Sequence, residues 1–187
     1  MENKFLDNFS RSFSVELPKF DTMSQYLDFI IPQIRPLSED LYEKQYYLDT
    51  RWLEIRDSDD FHEAVLHIFR DKSEYLISID GNISKGNWRL LGKSNTMILE
   101  RGGGGGGKNE LYDLAYLDRN FFILRKHGNQ RSHQKYFVLG REPVVRGLEW
   151  RDVMELLFNL FRQNPNFTYT LVAIIVIVAI VILLSII

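Results

Sequence analysis

The sequence contains no cysteine. This excludes disulfide bonds, thiolate metal sites, a cysteine nucleophile and lipidation of a cysteine, and it fits a reducing compartment. An excess of one charge is also missing, since the net charge is −2 at pH 7 and the basic residues are scattered among acidic ones. General affinity for nucleic acid is therefore not expected.

Catalytic signatures are missing as well. The sequence has no nucleophile elbow, no zinc-deaminase motif and no dinucleotide-binding fingerprint. His62 and His67 are five residues apart, which suits one face of neither a helix nor a strand. His127 and His133 fall in a polar stretch where a solvated loop is a simpler interpretation than a metal site. We therefore expect no enzymatic activity, no metal and no cofactor.

Residues 168–187 contain no charged residue, no glycine and no proline. A helix of about 20 apolar residues matches a hydrocarbon core about 30 Å thick, and it satisfies its own backbone hydrogen bonds in lipid. A buried core helix is the alternative, but this stretch has no polar side to turn towards water. We predict a membrane anchor that includes Leu171, Ala173, Ile175, Ala179 and Leu183.

Charged side chains lie on the N-terminal side of this predicted anchor. Arg146, Arg151 and Arg162 precede it, and the positive-inside tendency places the preceding residues in the cytoplasm. The first residues mix charged and apolar side chains and do not form the apolar run of a signal peptide. The pattern predicts a single-pass, tail-anchored membrane protein with a cytoplasmic N-terminal domain.

Residues 1–20 carry isolated aromatic side chains and predict an arm without regular structure. Helical spacing begins at Thr22, which forms the pattern of a capping box with Gln25. Pro32 and Pro36 are expected to end this helix.

A second short helix is predicted from Ser38, because acidic residues follow a side chain that can cap. Leu41, Tyr42 and Tyr46 would form its buried stripe. Residues 21–50 are therefore expected to contain one or two short helices.

Residues 51–142 consist of short runs of aromatic and branched residues separated by turn residues, which is typical of antiparallel strands. Asp80-Gly81-Asn82 and Asp118-Arg119-Asn120 are turn sequences. Eight such runs predict a mainly β fold with a small closed barrel. The predicted strands are residues 51–56, 64–70, 74–80, 86–91, 96–101, 110–117, 121–126 and 135–141.

Alternation along these strands assigns side chains to the barrel interior. It places Tyr75, Ile77 and Ile79 on one face. Trp52 and Trp88 are the candidate functional residues of the barrel, because they would either line a ligand cavity or fill the core. Filling is favoured, since many aromatic side chains compete for an interior that is wide enough for one small ligand at most.

Six consecutive glycines occupy residues 102–107. A phosphate-binding loop would need spaced glycines, a Lys-Ser or Lys-Thr pair and a following helix, whereas Lys108 is followed by Asn109 and a predicted strand. A flexible hairpin loop, natural or engineered, is the favoured interpretation.

An amphipathic helix is predicted over residues 147–163, and Pro165 would allow a bend after it. Its apolar face would either pack on the barrel, or lie on the bilayer surface or against a partner. The pattern does not separate these alternatives. The residues of this face are Trp150, Val153, Met154, Leu157, Leu160 and Phe161.

Three stretches carry a family resemblance. They are RWLEI, then LHIFRDKSEYLISIDGNISKGNWRLLGKSNTMILE, then ELYDLAYLDRNFFILRKHG with KYFVLGRE. Their order over residues 51–142 resembles the strands of bacterial lipocalin-like proteins, and Lys85–Leu90 is the most specific element. Many such proteins resemble exported lipoproteins with an N-terminal cysteine, which this sequence lacks. The resemblance implies a lipocalin-like barrel and a bacterial protein, but no catalytic residues.

These features predict a non-enzymatic accessory or adaptor subunit of a larger integral membrane complex in the bacterial inner membrane. The alternative is a membrane-tethered module that binds a lipid or another small apolar ligand, as the barrel resemblance implies. A third hypothesis is a stress or defence effector that perturbs membranes, but the predicted anchor has no polar face. Ala173 and Ala179 do not form a small-xxx-small pair, so self-dimerisation is not indicated.

Overall fold

The computed structural model describes residues 19–58, 63–102, 108–128 and 135–162 of the chain. Within them, eight antiparallel strands form a closed barrel in which neighbours in sequence pair and β1 pairs with β8. The mainly β fold and the closed eight-stranded barrel that the sequence predicts are thereby confirmed. The strands are β1 Trp52–Ile55, β2 Val65–Phe69, β3 Glu74–Ile79, β4 Asn82–Leu90, β5 Thr96–Arg101, β6 Lys108–Leu117, β7 Phe121–Lys126 and β8 Tyr136–Arg141.

Short turns connect the strands where the sequence predicts them. Asp80 and Gly81 join β3 to β4 with φ angles of 47° and 88°, the left-handed conformation that a two-residue hairpin requires. Between β6 and β7, Asp118 Oδ1 accepts the N–H groups of Asn120 and Phe121. These local turns reverse the chain and so set the antiparallel order of the barrel.

The strand β4 begins at Asn82, earlier than the predicted start at Gly86. The two-residue turn pairs Ile79 with Asn82, and the register continues from there without a gap. Hairpin pairing therefore includes a largely polar stretch whose composition does not indicate a strand.

Residues 38–48 cover one end of the barrel. The N–H of Leu41 donates to Asn95 Oδ1 at 3.0 Å. The side chain of Tyr47 is fully buried, and its hydroxyl donates to the carbonyl of Leu41 at 2.9 Å. We call this the closed end. The other end, where β1, β3, β5 and β7 terminate, is called the mouth.

Helices cover one side of the barrel wall. The helix α1 spans Met23–Ile34, the short α2 spans Glu142–Val145, and α3 spans Trp150–Arg162. Side chains of α1 and α3 pack with outward-facing residues of β1, β6, β7 and β8 in one apolar cluster, which we call the helix layer. The barrel interior forms a second cluster. Buried members of the helix layer from the helices are Met23, Tyr26, Leu27, Ile30, Ile34, Val153, Met154, Leu157 and Phe158.

The helix α1 begins as predicted but ends later. Thr22 and Gln25 form the predicted capping box. The expectation that Pro32 ends the helix is wrong, because α1 continues to Ile34. Ile30 and Ile34 are buried in the helix layer, and this packing holds the last turn although proline supplies no N–H.

The expectation that a second short helix begins at Ser38 is wrong. In this described stretch the chain forms only single 3-10 turns at Arg35–Leu37 and Lys44–Tyr46. Ser38 Oγ accepts the N–H of Leu117 at 3.0 Å, so it fixes the chain to the end of β6 instead of capping a helix. Tyr42, predicted to be buried, is 49% exposed.

Within the described ranges, no helix combines the length and the hydropathy that crossing a bilayer requires. Residues 168–187 lie outside those ranges, together with residues 1–18 of the predicted arm and residues 103–107 of the glycine run. The anchor residues Leu171, Ala173, Ile175, Ala179 and Leu183 therefore stay a prediction.

Candidate functional site

Aromatic side chains fill much of the barrel interior. Trp52 and Trp88, the two candidates from the sequence, are 0% and 3% exposed. Trp52 Nε1 donates to the carbonyl of Tyr47 at 3.1 Å, and Trp88 Nε1 donates to the carbonyl of Arg70 at 2.9 Å. The ring of Phe122 lies 5.8 Å from that of Trp52 and 5.3 Å from that of Tyr47. Both indoles thus use their N–H groups within the protein and pack against other rings.

Gly86 gives a physical reason for the glycine in the Lys85–Leu90 element. A Cβ at this position would lie 2.2 Å from the carbonyl oxygen of Glu100 on β5 and 3.4 Å from the ring of Tyr75. Glycine therefore allows the close approach of β5 and leaves room for the tyrosine ring inside the barrel.

A chain of hydrogen-bonded polar side chains lies beside the aromatic core. His67 is 1% exposed, its Nε2 is 3.0 Å from Glu54 Oε2, and its Nδ1 is 2.6 Å from the hydroxyl oxygen of Tyr75. Arg56 Nε donates to Glu54 Oε1 at 2.6 Å. We call Glu54, His67 and Tyr75 the interior triad. Its members satisfy one another, as buried polar groups require.

The environment determines the protonation of the interior triad. Burial alone would raise the pKa of Glu54, but hydrogen bonds from His67 and Arg56 outweigh burial and lower this pKa to about 2. Burial lowers the pKa of His67, and Arg101 and Arg56 add to that effect although Glu54 opposes it. At neutral pH the imidazole is therefore uncharged, with Nε2–H donating to Glu54 and Nδ1 accepting from Tyr75.

We expect the free energy of unfolding to fall as the pH drops below about 6.5, and we expect His67→Gln to remove part of this fall. The unfolded imidazole binds a proton near pH 6.5, whereas the pKa of His67 is lower in the folded protein. A proton bound only by the unfolded chain lowers the free energy of unfolding by up to about 1.4 kcal/mol per pH unit. Urea unfolding of the full chain in detergent at several pH values measures the slope.

His127→Gln is the matched control for this experiment, because the side chain of His127 is 58% exposed. The difference in slope between His67→Gln and His127→Gln measures the part of the pH dependence that belongs to position 67. Equal slopes for the wild type and His67→Gln would contradict a buried, uncharged imidazole at position 67.

A second polar group lies at the mouth. Glu110 Oε1 accepts from Lys126 Nζ at 2.5 Å, and Glu110 Oε2 accepts from the hydroxyl of Tyr112 at 2.9 Å. Arg101 Cζ lies 5.0 Å from the centre of the Phe137 ring. Arg101 Nε is buried and has no hydrogen-bond partner among the described residues; Glu110 Oε2 is 3.6 Å away. The guanidinium is thus less well satisfied than its neighbours.

Two cavities lie near the mouth. One cavity, of about 120 Å³, is lined at the mouth by Arg101, Glu110 and Lys126. Met23 and Ser24 at the start of α1 also line it. The other is an open groove of about 540 Å³ along β1, with Trp150 and Arg151 at its far side. The first is smaller than a typical pocket for a drug-sized ligand, and the second is lined mainly by polar and charged residues. Neither has the character of a lipid pocket.

Part of the predicted partner or membrane face of α3 is covered within the chain. Three of its residues are fully buried in the helix layer, and a fourth packs on Tyr26 of α1 with ring centroids 5.8 Å apart. Two others have side chains outside the described set. The buried residues are Val153, Met154 and Leu157, the residue on Tyr26 is Trp150, and the two outside are Leu160 and Phe161.

The histidine pair considered as a metal site is only half described. His127 Nδ1 lies 3.0 Å from Asp113 Oδ2, and His133 is outside the described residues. Across the ranges that are described, no three His, Asp or Glu side chains form a group that could hold a metal ion.

The outer wall of β2, β3 and β4 contributes no buried side chain to the helix layer, as far as the described residues go. The strand register places Leu66 beside Ser78, Ser78 beside Ile83, and Ile68 beside Leu76. Leu66 and Ile68 are partly exposed, and Ile83 is 67% exposed. We call Leu66, Ile68, Leu76 and Ile83 the outer patch, in which Leu76 is only 9% exposed.

The polar side chains inside the barrel were not predicted, although the alternation along the strands contains a signal for them. Glu54 follows Trp52 by two positions, and Arg101 follows Leu99 by two positions, so both fall on the inward side of a strand. His67 likewise lies between two inward positions of β2. A charged residue in an inward position predicts a buried polar network, because a lone buried charge is unstable.

Comparison with known proteins gave no similar protein family, no similar curated protein and no similar solved structure. The family resemblance therefore rests on the quoted stretches and the fold. In strand number and antiparallel order, the chain forms an eight-stranded barrel that is compatible with a lipocalin-like fold.

Proposed function

We propose that this protein is a single-pass protein of the bacterial inner membrane, anchored by residues 168–187, whose cytoplasmic barrel acts as a non-enzymatic accessory or adaptor subunit of a larger integral membrane complex. The observation that carries the proposal is the outer patch. It is an apolar surface on the side of the barrel that the described helices leave open. Single exposed apolar residues are common, but a contiguous group suits a protein partner.

The backbone next to the outer patch supports the same role. Among the described strands, the segment from Asn82 to Lys85 pairs only with β3, since pairing of β4 with β5 starts at Gly86. A strand segment that the described part of β5 does not pair, beside apolar side chains, would offer a partner both backbone hydrogen bonds and side-chain contacts. Ile83 lies within this segment and is the most exposed residue of the patch.

The proposed anchor would keep the barrel close to the bilayer. The helix α3 ends at Arg162, and the apolar run begins at Thr168. A chain extends by about 3.5 Å per residue at most, so the two points lie within roughly 20 Å of each other. A partner for the barrel is therefore expected to be membrane-embedded or membrane-bound.

The packing of the barrel interior favours a function at the outer wall. It argues against catalysis or lipid binding inside the barrel. His67 and Tyr75 are 1% and 0% exposed, and Glu54, which lines the mouth cavity, is held by His67 and Arg56. Trp52, Tyr47 and Phe122 occupy the space that an apolar ligand would need. Lipid carriage would require these rings to leave the core.

Ile83→Asp is expected to weaken assembly of the complex about tenfold or more, because it places a charge in the centre of a desolvated contact. The full chain would be purified in mild detergent at its native expression level, and the mass of the particle measured. Ile83→Asp should shift the population towards the single chain.

Leu91→Asp is the matched control, since Leu91 is also exposed, at 48%, but lies beyond the other end of β4. This variant should assemble like the wild type. Equal loss of assembly in both variants, or in neither, would contradict a role for the outer patch.

A further inference from the structure

The guanidinium of Arg101 lies at the mouth with hydrogen-bonding capacity that the described residues do not use. Arg101 is the last residue of β5 and is less than one-third exposed. Its buried Nε–H has no acceptor within the described part of the chain. A buried donor without a partner costs free energy, so a donor of this kind beside a cavity suits a ligand that can accept its hydrogen bond.

The two carboxylates nearest to Arg101 already have other partners. Glu110 is held by Lys126 and Tyr112, and its Oε2 stays 3.6 Å from Arg101 Nε. Glu54 is held by Arg56 and His67. Lys126, Arg56 and His67 are thus engaged, whereas Arg101 Nε is at ion-pair distance from Glu110 without a hydrogen bond to it.

The packing of Arg101 keeps the guanidinium in place. Its Cζ lies 5.0 Å from the centre of the Phe137 ring, a distance at which the cation and the ring attract each other. A guanidinium supported on one face can still offer its N–H groups along its edge. Planar, paired N–H donors match the two oxygens of a carboxylate.

The cavity restricts the size and charge of the ligand. Its volume is about 120 Å³, well below the roughly 300 Å³ of a pocket for a drug-sized ligand. Glu54, Asp57 and Glu110 also line it, and these carboxylates would repel an anion of higher charge more than a monovalent one. A monovalent anion with few atoms therefore fits better than a phosphate.

We propose that the mouth of the barrel is a binding site for a small monocarboxylate, which the Arg101 guanidinium holds through two parallel hydrogen bonds. This site is separate from the outer patch, so it goes beyond the proposed adaptor function and does not depend on it. The ligand would sit between the charged residues of the mouth and the first residues of α1.

Acetate is the probe for this site, and the methyl group of Met23 is the reporter because Met23 lines the cavity. The full chain, labelled with ¹³C at the methionine methyl groups, would be titrated in nanodiscs with sodium acetate, acetamide, sodium phosphate and sodium chloride. We expect a saturable shift of the Met23 resonance with acetate alone. Met97 and Met154, buried elsewhere, should not respond and report that the fold is intact.

Arg101→Leu should reduce the affinity for acetate roughly tenfold or more, the effect expected for charge-assisted hydrogen bonds. Arg89→Leu is the control, because Arg89 is a 62% exposed side chain on the outside of β4. A response of the wild type to acetate no larger than to acetamide, chloride or phosphate would overturn the proposal. Unchanged affinity in a folded Arg101→Leu protein would overturn it as well.

Discussion

Deletion of residues 168–187 is expected to move the protein from the membrane fraction to the soluble fraction. The segment consists mainly of Leu, Ile and Val, each of which favours the centre of a bilayer by about 0.3–0.6 kcal/mol. Their sum is several kcal/mol, which corresponds to a partition ratio of roughly a thousandfold or more. Fractionation of cells that express the full or the shortened chain measures this ratio.

Two controls separate an anchor from peripheral attachment. Replacement of residues 168–187 by an apolar Leu and Ala sequence of the same length should restore the membrane location. Alkaline carbonate should leave the full chain in the membrane, because a spanning helix is not extracted by a change of charge. A shortened chain that stays in the membrane fraction would contradict the predicted anchor and would point to α3 or the barrel as the attachment.

Trp52→Ala is expected to lower the free energy of unfolding by about 3–5 kcal/mol, a large part of the stability of one domain. The side chain is fully buried between rings of the barrel interior, and its Nε1–H bonds to the carbonyl of Tyr47. Removal of the indole leaves a cavity and an unpaired carbonyl at the closed end. Urea unfolding of the full chain in detergent, followed by circular dichroism, measures the loss.

Trp52→Phe separates the two contributions. It keeps most of the ring volume but removes the hydrogen bond to Tyr47, so a loss of about 1–3 kcal/mol is expected. A loss below about 1 kcal/mol for Trp52→Ala would contradict a packed interior. It would favour a cavity whose lining tolerates a smaller side chain, as the hypothesis of an apolar ligand requires.

Features that depend on nearby residues could be predicted from the sequence. The capping box of Thr22 with Gln25 and the turn at Asp80 and Gly81 are examples. In each case the conformation depends on bonds between residues that are close in sequence, or on positive φ angles that few residues adopt. The number of strands follows from such turns together with the apolar runs between them.

Features that depend on distant residues were predicted wrongly or missed. Pro32 does not end α1, because side chains of the barrel and α3 hold the following turn. Ser38 bonds to Leu117, which is distant in sequence, and so does not begin a helix. The partners of His67 come from β1 and β3, so local periodicity places its side chain inside the barrel but does not identify the triad.

The outer patch could be recognised only with the strand register. In the sequence alone, Leu66 and Ile83 do not differ from other apolar strand residues. Pairing of both with Ser78 brings them into one row on the outside of the barrel. The register thus converts separate residues into the outer patch.

The mass of the natively expressed full chain in mild detergent tests the proposed adaptor function most directly. One chain has a mass of 22.1 kDa, and a subunit of a larger membrane complex should migrate with a protein mass well above this value after the detergent is subtracted. The excess mass should fall in Ile83→Asp and stay in Leu91→Asp. A particle that contains one chain alone at native expression would contradict the adaptor function.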